Sequence, residues 1–204
     1  MRNKLFISIL TMGIAIGSSI GFIVSHSHNQ TKKEVQVAQA TRQQQEALPA
    51  PSVAPGAPLS IVIPKINVHA PVESVGMDNQ GRMDVPKNAI DTAWYSPGYK
   101  PGMKGSAVID GHLDKVTGAP AVFWKLKELA VGDSITVTEN NGKSYTFAVN
   151  RIVRYPYNSF PINEVFGAAD IPMLNLITCN GVWDKNSKNY SDRLVVYSKL
   201  VSEK

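Results

Sequence analysis

Apolar residues fall along this chain in one long run and then in many short ones. The long run covers residues 5–24, twenty positions without a charge. At about 1.5 Å per residue it just crosses a hydrocarbon core of about 30 Å, which predicts a transmembrane helix. Gly13, Gly17 and Gly21 recur within it, and membrane helices tolerate such glycines. Arg2 and Lys4 precede the run, while the next cations, Lys32 and Lys33, stand well beyond it. That asymmetry places the amino terminus in the cytoplasm and the rest of the chain outside, in the cell membrane as a single-pass protein. A cleaved signal peptide fits less well, because its apolar region is typically about 7–15 residues. From residue 25 to 58 periodicity disappears. Gln39, Gln43, Gln44 and Gln45 give way to Pro49, Pro51, Pro55 and Pro58 among alanines, an extended linker that cannot bury a core.

Beyond residue 58 the pattern becomes short apolar runs separated by glycine, proline and asparagine. Strands are expected over 59–63, 66–68, 70–75, 106–110, 134–139, 144–154, 173–179 and 194–201. Pro71 and Gly76 are read as breaks, and 94–102 as a loop crowded with aromatic, proline and glycine residues. Asn140-Asn141-Gly142 is a strong hairpin signal. Residues 121–129 and 161–166 predict a helical turn or two each. With no long amphipathic helix after the linker, the fold class is all-β, a barrel or sandwich. Three regions result: 1–24, a cytoplasmic stub and signal-anchor; 25–58, the linker; 59–204, the folded domain.

The formal charge of +5 narrows the function only through its distribution. Arg2, Lys4, Lys32, Lys33 and Arg42 against Glu34 and Glu46 account for more than half of it, leaving the folded domain nearly balanced. That is a mixed, solvated surface and not a nucleic-acid footprint.

The chain has one cysteine, Cys179, in NLITCNG. A chain facing the outside with a single cysteine forms no internal disulfide. An unpaired thiol is commonly a small buried hydrophobe. Here it stands where an apolar run meets Asn180-Gly181, read as a turn pair at a strand end. A thiol attacks acyl groups as the thiolate and needs a base or cation beside it. His112 in VIDGHLD follows a strand and a glycine, whereas His69 lies in a short edge segment and reads as exposed. Arg193 in SDRLVVYS opens the strand after that of Cys179, and sequential strands are usually neighbours. A guanidinium suits the oxyanion of a tetrahedral acyl intermediate. One cysteine and two domain histidines fall short of a closed zinc site, and no C-x-x-C pair or phosphate-binding glycine loop is present, so no metal or cofactor is expected.

Taken together these stretches resemble the sortase family, membrane-anchored cysteine transpeptidases of Gram-positive bacteria. The likeness runs from IPKINVHAPV at Ile63 through AWYSPGYKPGMKGSAVIDGHLD at Ala93, GAPAVFWKL at Gly118 and FPINEVFG at Phe160 to LITCNG and DRLVVYS. GAPAVFW and FPINEVFG are most similar to class F, with classes D and E nearest after it. Asn175 departs from the pattern, since many sortases carry threonine at the head of T-L-x-T-C.

The resemblance implies an eight-stranded sortase barrel with short helices. It makes Cys179 the nucleophile, His112 the general acid/base and Arg193 the stabiliser of substrate or oxyanion, with Thr178 helping to hold the acyl carbonyl. The reaction it implies cleaves an LPXTG-like sorting signal between Thr and Gly through a thioacyl-enzyme. An amine of a lipid-linked cell-wall precursor, or of a pilin, then takes the acyl group. A monomer is expected. Two other readings of the same residues stay open: a cysteine peptidase in which water resolves the acyl-enzyme, and a non-catalytic cell-surface binding module with a structural cysteine.

Overall fold

The computed structural model describes residues 54–204. The expected membrane segment and all but the last residues of the expected linker lie outside the described residues. A compact unit runs over Val53–Lys204. No helix among the described residues is long and apolar enough to cross a membrane.

Eight strands close into a barrel: β1 (Pro58–Ile63), β2 (Val68–Val75), β3 (Thr92–Tyr95), β4 (Gly105–Gly111), β5 (Ser134–Glu139), β6 (Ser144–Pro156), β7 (Pro172–Asp184) and β8 (Asn189–Glu203). Around the barrel they run β1-β2-β3-β4-β7-β8-β6-β5, and β5 pairs back onto β1. The joins β2–β3 and β4–β7 are parallel; the others are antiparallel. Each parallel join needs a long crossover, and those two crossovers carry the irregular segments around the site.

Alternation explains the core. In β5 and β6, Ile135, Val137, Tyr145, Phe147 and Val149 point inward while the threonines between them are half-exposed. Ile61, Ile63, Ile109, Leu174, Leu176 and Val196 meet them inside. The sheet face formed by β4, β7 and β8 also has an apolar outer side. Val108, Ile177, Val195 and Tyr197 form a second cluster there with Val165, bordered by Met83, Tyr95, Phe160 and Phe166. A short helix, α1 (Ile162–Phe166), lies in the β6–β7 crossover and supplies Val165 and Phe166 to that cluster.

Several sequence expectations needed correction. Pro71 does not break its strand. It is the last β2 residue paired with β1, opposite Ser60, and Val72 begins the pairing with β3, so the absent N–H falls at a change of partner. The carbonyl of Pro71 is used, accepting the hydroxyl of Thr92 at 2.9 Å. The expected loop 94–102 conceals the end of β3, a four-residue strand whose signal is swamped by the glycines and prolines after it. Residues 121–129 form the expected helical turns, as three-residue turns that run into a 3-10 helix at Leu126–Glu128. Trp124 bonds Ala121, Leu126 bonds Phe123 and Leu129 bonds Leu126, so Phe123, Leu126 and Leu129 are buried at a period of three.

Strands β7 and β8 extend well past their expected ends. Asn180-Gly181 is a bulge within β7, not a turn: register slips between Asn180 and Trp183, and Gly181 takes φ +86°. A side chain at Gly181 would also meet the Ser191 hydroxyl at 2.2 Å.

Candidate active site

Strand pairing assembles the site. Cys179 on β7 is directly opposite Arg193 on β8. On the other side of β7, the parallel register runs as far as Asp110 opposite Ile177, and His112 follows two residues on, just past the end of β4. The hydroxyl of Thr178 donates to the Gly111 carbonyl at 2.7 Å, tying the two strands together at this point. By alternation Cys179, Asp110 and Arg193 share the outer face of the sheet, at one end of the outer apolar cluster, and the charges of His112 and Arg193 both act on Asp110. One step away from Cys179 and Arg193 stand Ile177 and Val195, the floor of that cluster.

Gly111 is required for space and not for an unusual backbone. The Phe123 ring rests against it, and a Cβ there would lie 2.5 Å from a ring carbon. The backbone leaves β4 at His112, whose carbonyl accepts the Phe123 N–H at 3.0 Å. The His112 ring is part-buried, and its Nε2 lies 2.9 Å from the Pro86 carbonyl in the segment joining β2 to β3. His69 is exposed on β2, opposite Val62, away from this constellation.

Arg193 is held by the first residues of its own strand. Nη1 donates to the Tyr190 carbonyl at 3.3 Å and to that of Asp192 at 3.0 Å, and Nη2 donates to Asn189 Oδ1 at 2.8 Å. Of five guanidinium donors, Nε–H and one Nη2–H remain free for an oxyanion or carbonyl. Tyr190 in turn donates its hydroxyl to Asp114, just past His112, and stacks edge-on with Trp183 at 5.2 Å. This bridge joins the exits of β4 and β7–β8 across the site mouth. Beyond Arg193 lies a cavity of about 390 Å³ whose lining includes Tyr157, Asp184, Asn189, Tyr190 and Asp192 but neither Cys179 nor His112.

The electrostatics differ from a simple activated thiol. Burial pushes the Cys179 thiol up; Arg193 pulls it down, and Asp110 and Asp114 push it up again. Burial also raises the Asp110 carboxyl to about 6, against the opposing charges of His112 and Arg193. Arg193 thus acts against a larger desolvation effect at the thiol.

Thr178 precedes Cys179 on β7. Its side chain is buried on the face opposite Cys179, and its hydroxyl is committed to Gly111. Asn175 ties α1 to β7: its amide donates to the Val165 carbonyl at 2.7 Å. Sequence reading missed Asp110, Asp114, Tyr190 and Pro86. Only Asp110 had a local signal, its two-residue spacing from His112 on a strand.

A sortase-domain profile matches residues 61–201. The chain belongs to the sortase family. Among solved structures the sortase barrel is similar to sortase C1 from Streptococcus agalactiae, at 21% identity and TM-score 0.55 over 70% of this chain and 66% of that one. It is similar to sortase A from Corynebacterium diphtheriae at 22% identity and TM-score 0.54, over 74% of this chain and 63% of that one. Sortase A of Listeria monocytogenes aligns at 18% identity and TM-score 0.55, over 71% of this chain and 87% of that one. This chain thus spans less than two-thirds of the corynebacterial and about two-thirds of the streptococcal sortase. At these identities the likeness is one of fold. No match was found among curated proteins.

Proposed function

We propose that this sortase is a transpeptidase that cleaves an LPXTG-like sorting signal between Thr and Gly and passes the acyl group to an amine of a cell-wall precursor. The observation that supports the reading is the pairing of Cys179 with Arg193, with His112 following directly on β4, the parallel neighbour of the cysteine strand. In this reading His112 serves the single thiol of the chain as acid/base and Arg193 serves it as cation.

In the first half-reaction the Cys179 proton passes to His112 and Sγ attacks the threonine carbonyl carbon. Negative charge develops on the carbonyl oxygen, where the free Arg193 donors stabilise it. Collapse breaks the Thr–Gly C–N bond, and His112 returns the proton to the departing glycine amine. In the second half-reaction an amine attacks the thioester and gives a proton to His112. The C–S bond then breaks and Cys179 regains its proton. Residues 5–24 would anchor the enzyme in the cell membrane with this domain outside, where secreted substrates and lipid-linked acceptors meet. The GAPAVFW and FPINEVFG stretches favour class F.

Intact-mass spectrometry with an LPXTG-type peptide tests the reading. The expected result is a mass increase matching the acyl half, absent in Cys179→Ala and discharged by added amine into an amide. Discharge by water alone, with amine never incorporated, would make the protein a cysteine peptidase. Absence of any adduct or cleavage across a panel of sorting signals would refute the acyl-transfer reading.

A further inference from the structure

We propose that the Pro86 carbonyl is a positioning group that keeps the His112 proton on Nε2 and so makes Nδ1 the nitrogen that exchanges protons in the reaction. A carbonyl oxygen can only accept a hydrogen bond, so the 2.9 Å contact with Nε2 requires that nitrogen to carry hydrogen in both the neutral and the charged ring. The bond made by one ring nitrogen decides which tautomer is present. Nδ1 is left as the base, on a ring that follows directly on β4, the parallel neighbour of the Cys179 strand.

The carbonyl is held firmly enough to do this. Pro86 is buried at the end of a folded loop between β2 and β3. In that loop Met77 bridges Met83, and the Asp78 carboxylate accepts the N–H groups of Gln80 and Arg82 at 2.9 Å. Glu73 on β2 accepts the Lys87 N–H, next to Pro86, at 3.2 Å. Three residues on, the Ala89 carbonyl accepts the Val122 N–H at 2.9 Å, fastening the segment to the chain that follows His112. Met83 packs against the outer apolar cluster. Both the ring and its acceptor are thus fixed to neighbouring parts of the same site.

The identity of the proton's partners rests on the transpeptidase reading; the tautomer does not. In that reaction the thiol proton moves from Sγ to Nδ1 as the C–S bond forms, and from Nδ1 to the glycine nitrogen as the C–N bond breaks. On deacylation the acceptor amine gives its proton to Nδ1, and Sγ takes it back when the C–S bond cleaves. Nε2–H stays on the Pro86 carbonyl throughout.

The test is nitrogen NMR of the histidine rings in the 15N-labelled full chain, at a pH where the rings are neutral. The His112 signals are identified by their loss in His112→Gln. The expected result is a pyrrole-type Nε2 and a pyridine-type Nδ1; the reverse assignment overturns the proposal. Glu73→Ala, which removes the acceptor beside Pro86, should mix the tautomers and lower kcat several-fold with KM unchanged, while Glu73→Gln restores both. A fall in kcat with the tautomer unmoved would make the segment merely structural and also overturn it. Failure of the transpeptidase reading shows separately, as a wild-type chain that forms no thioacyl adduct.

Discussion

At Cys179 the balance between burial and charge decides reactivity. Desolvation and the two carboxylates raise the thiol's pKa, and only Arg193 lowers it. Alkylation of the wild-type thiol should therefore be slow at neutral pH and climb into the alkaline range. Arg193→Ala should move that rate–pH profile to higher pH, and Asp110→Asn should move it to lower pH. Stopped-time labelling with a small thiol reagent checks both directions, and shifts of the same sign would contradict the charge arrangement. Asp110 also affects stability. Burial pushes its folded carboxyl up to about 6, above the ordinary carboxylate range, so ionisation opposes folding. The penalty is absent below the unfolded value, grows as pH rises to about 6 and stays constant above. Asp110→Asn should stabilise the fold at pH 7, by on the order of 3 kcal/mol at most given about 1.4 kcal/mol per pH unit, seen as a higher Tm, and leave Tm unchanged near pH 3.

At the level of elements, the wall of the outer cluster hangs on few polar contacts. Helix α1 has five residues and no side-chain cap, so it does not persist by its own propensity. Asn175 holds it to β7 through a buried bond to Val165, while the Arg151–Glu164 pair between β6 and α1 is exposed and contributes little. Asn175→Ala should cost about 1–3 kcal/mol by leaving the Val165 carbonyl without its donor. It should also raise KM for a sorting peptide several-fold while the alkylation rate of Cys179 stays near wild type. Peptide kinetics beside thiol labelling separate the two effects. The residue that departs from the common sortase pattern is thus accounted for locally: an amide at 175 reaches the helix backbone.

For the whole molecule, the barrel is a frame whose seams make the site. Cys179 lies on the strand between one parallel and one antiparallel join, with Arg193 opposite it on one side and the strand that leads into His112 on the other. Phe147 is fully buried in the interior on β6, a strand that carries none of the site residues. Phe147→Ala should destabilise the fold by about 3–5 kcal/mol, read as a lower urea midpoint, with turnover retained at temperatures where the protein stays folded. A loss of turnover in the folded variant would show that interior packing reaches the catalytic face.

Much of this was written locally. Alternation in 134–139 and 144–154 with Asn140-Asn141-Gly142 between them marked a hairpin, because strand period and turn chemistry depend only on neighbours in the chain. The lone cysteine, the histidine after Gly111 and the arginine in the last strand were likewise visible as residue types that thiol chemistry needs. Tertiary structure alone decided the rest. That Asn180-Gly181 is a bulge depends on β8 continuing alongside β7. Pro71 is accommodated because β2 changes partners there, a fact held by β1 and β3. The thiol's raised pKa comes from burial by segments distant in sequence, and the tautomer of His112 from a carbonyl 26 residues away. Local pattern sets which groups exist and which way a strand turns them; only the closed barrel sets what each group touches.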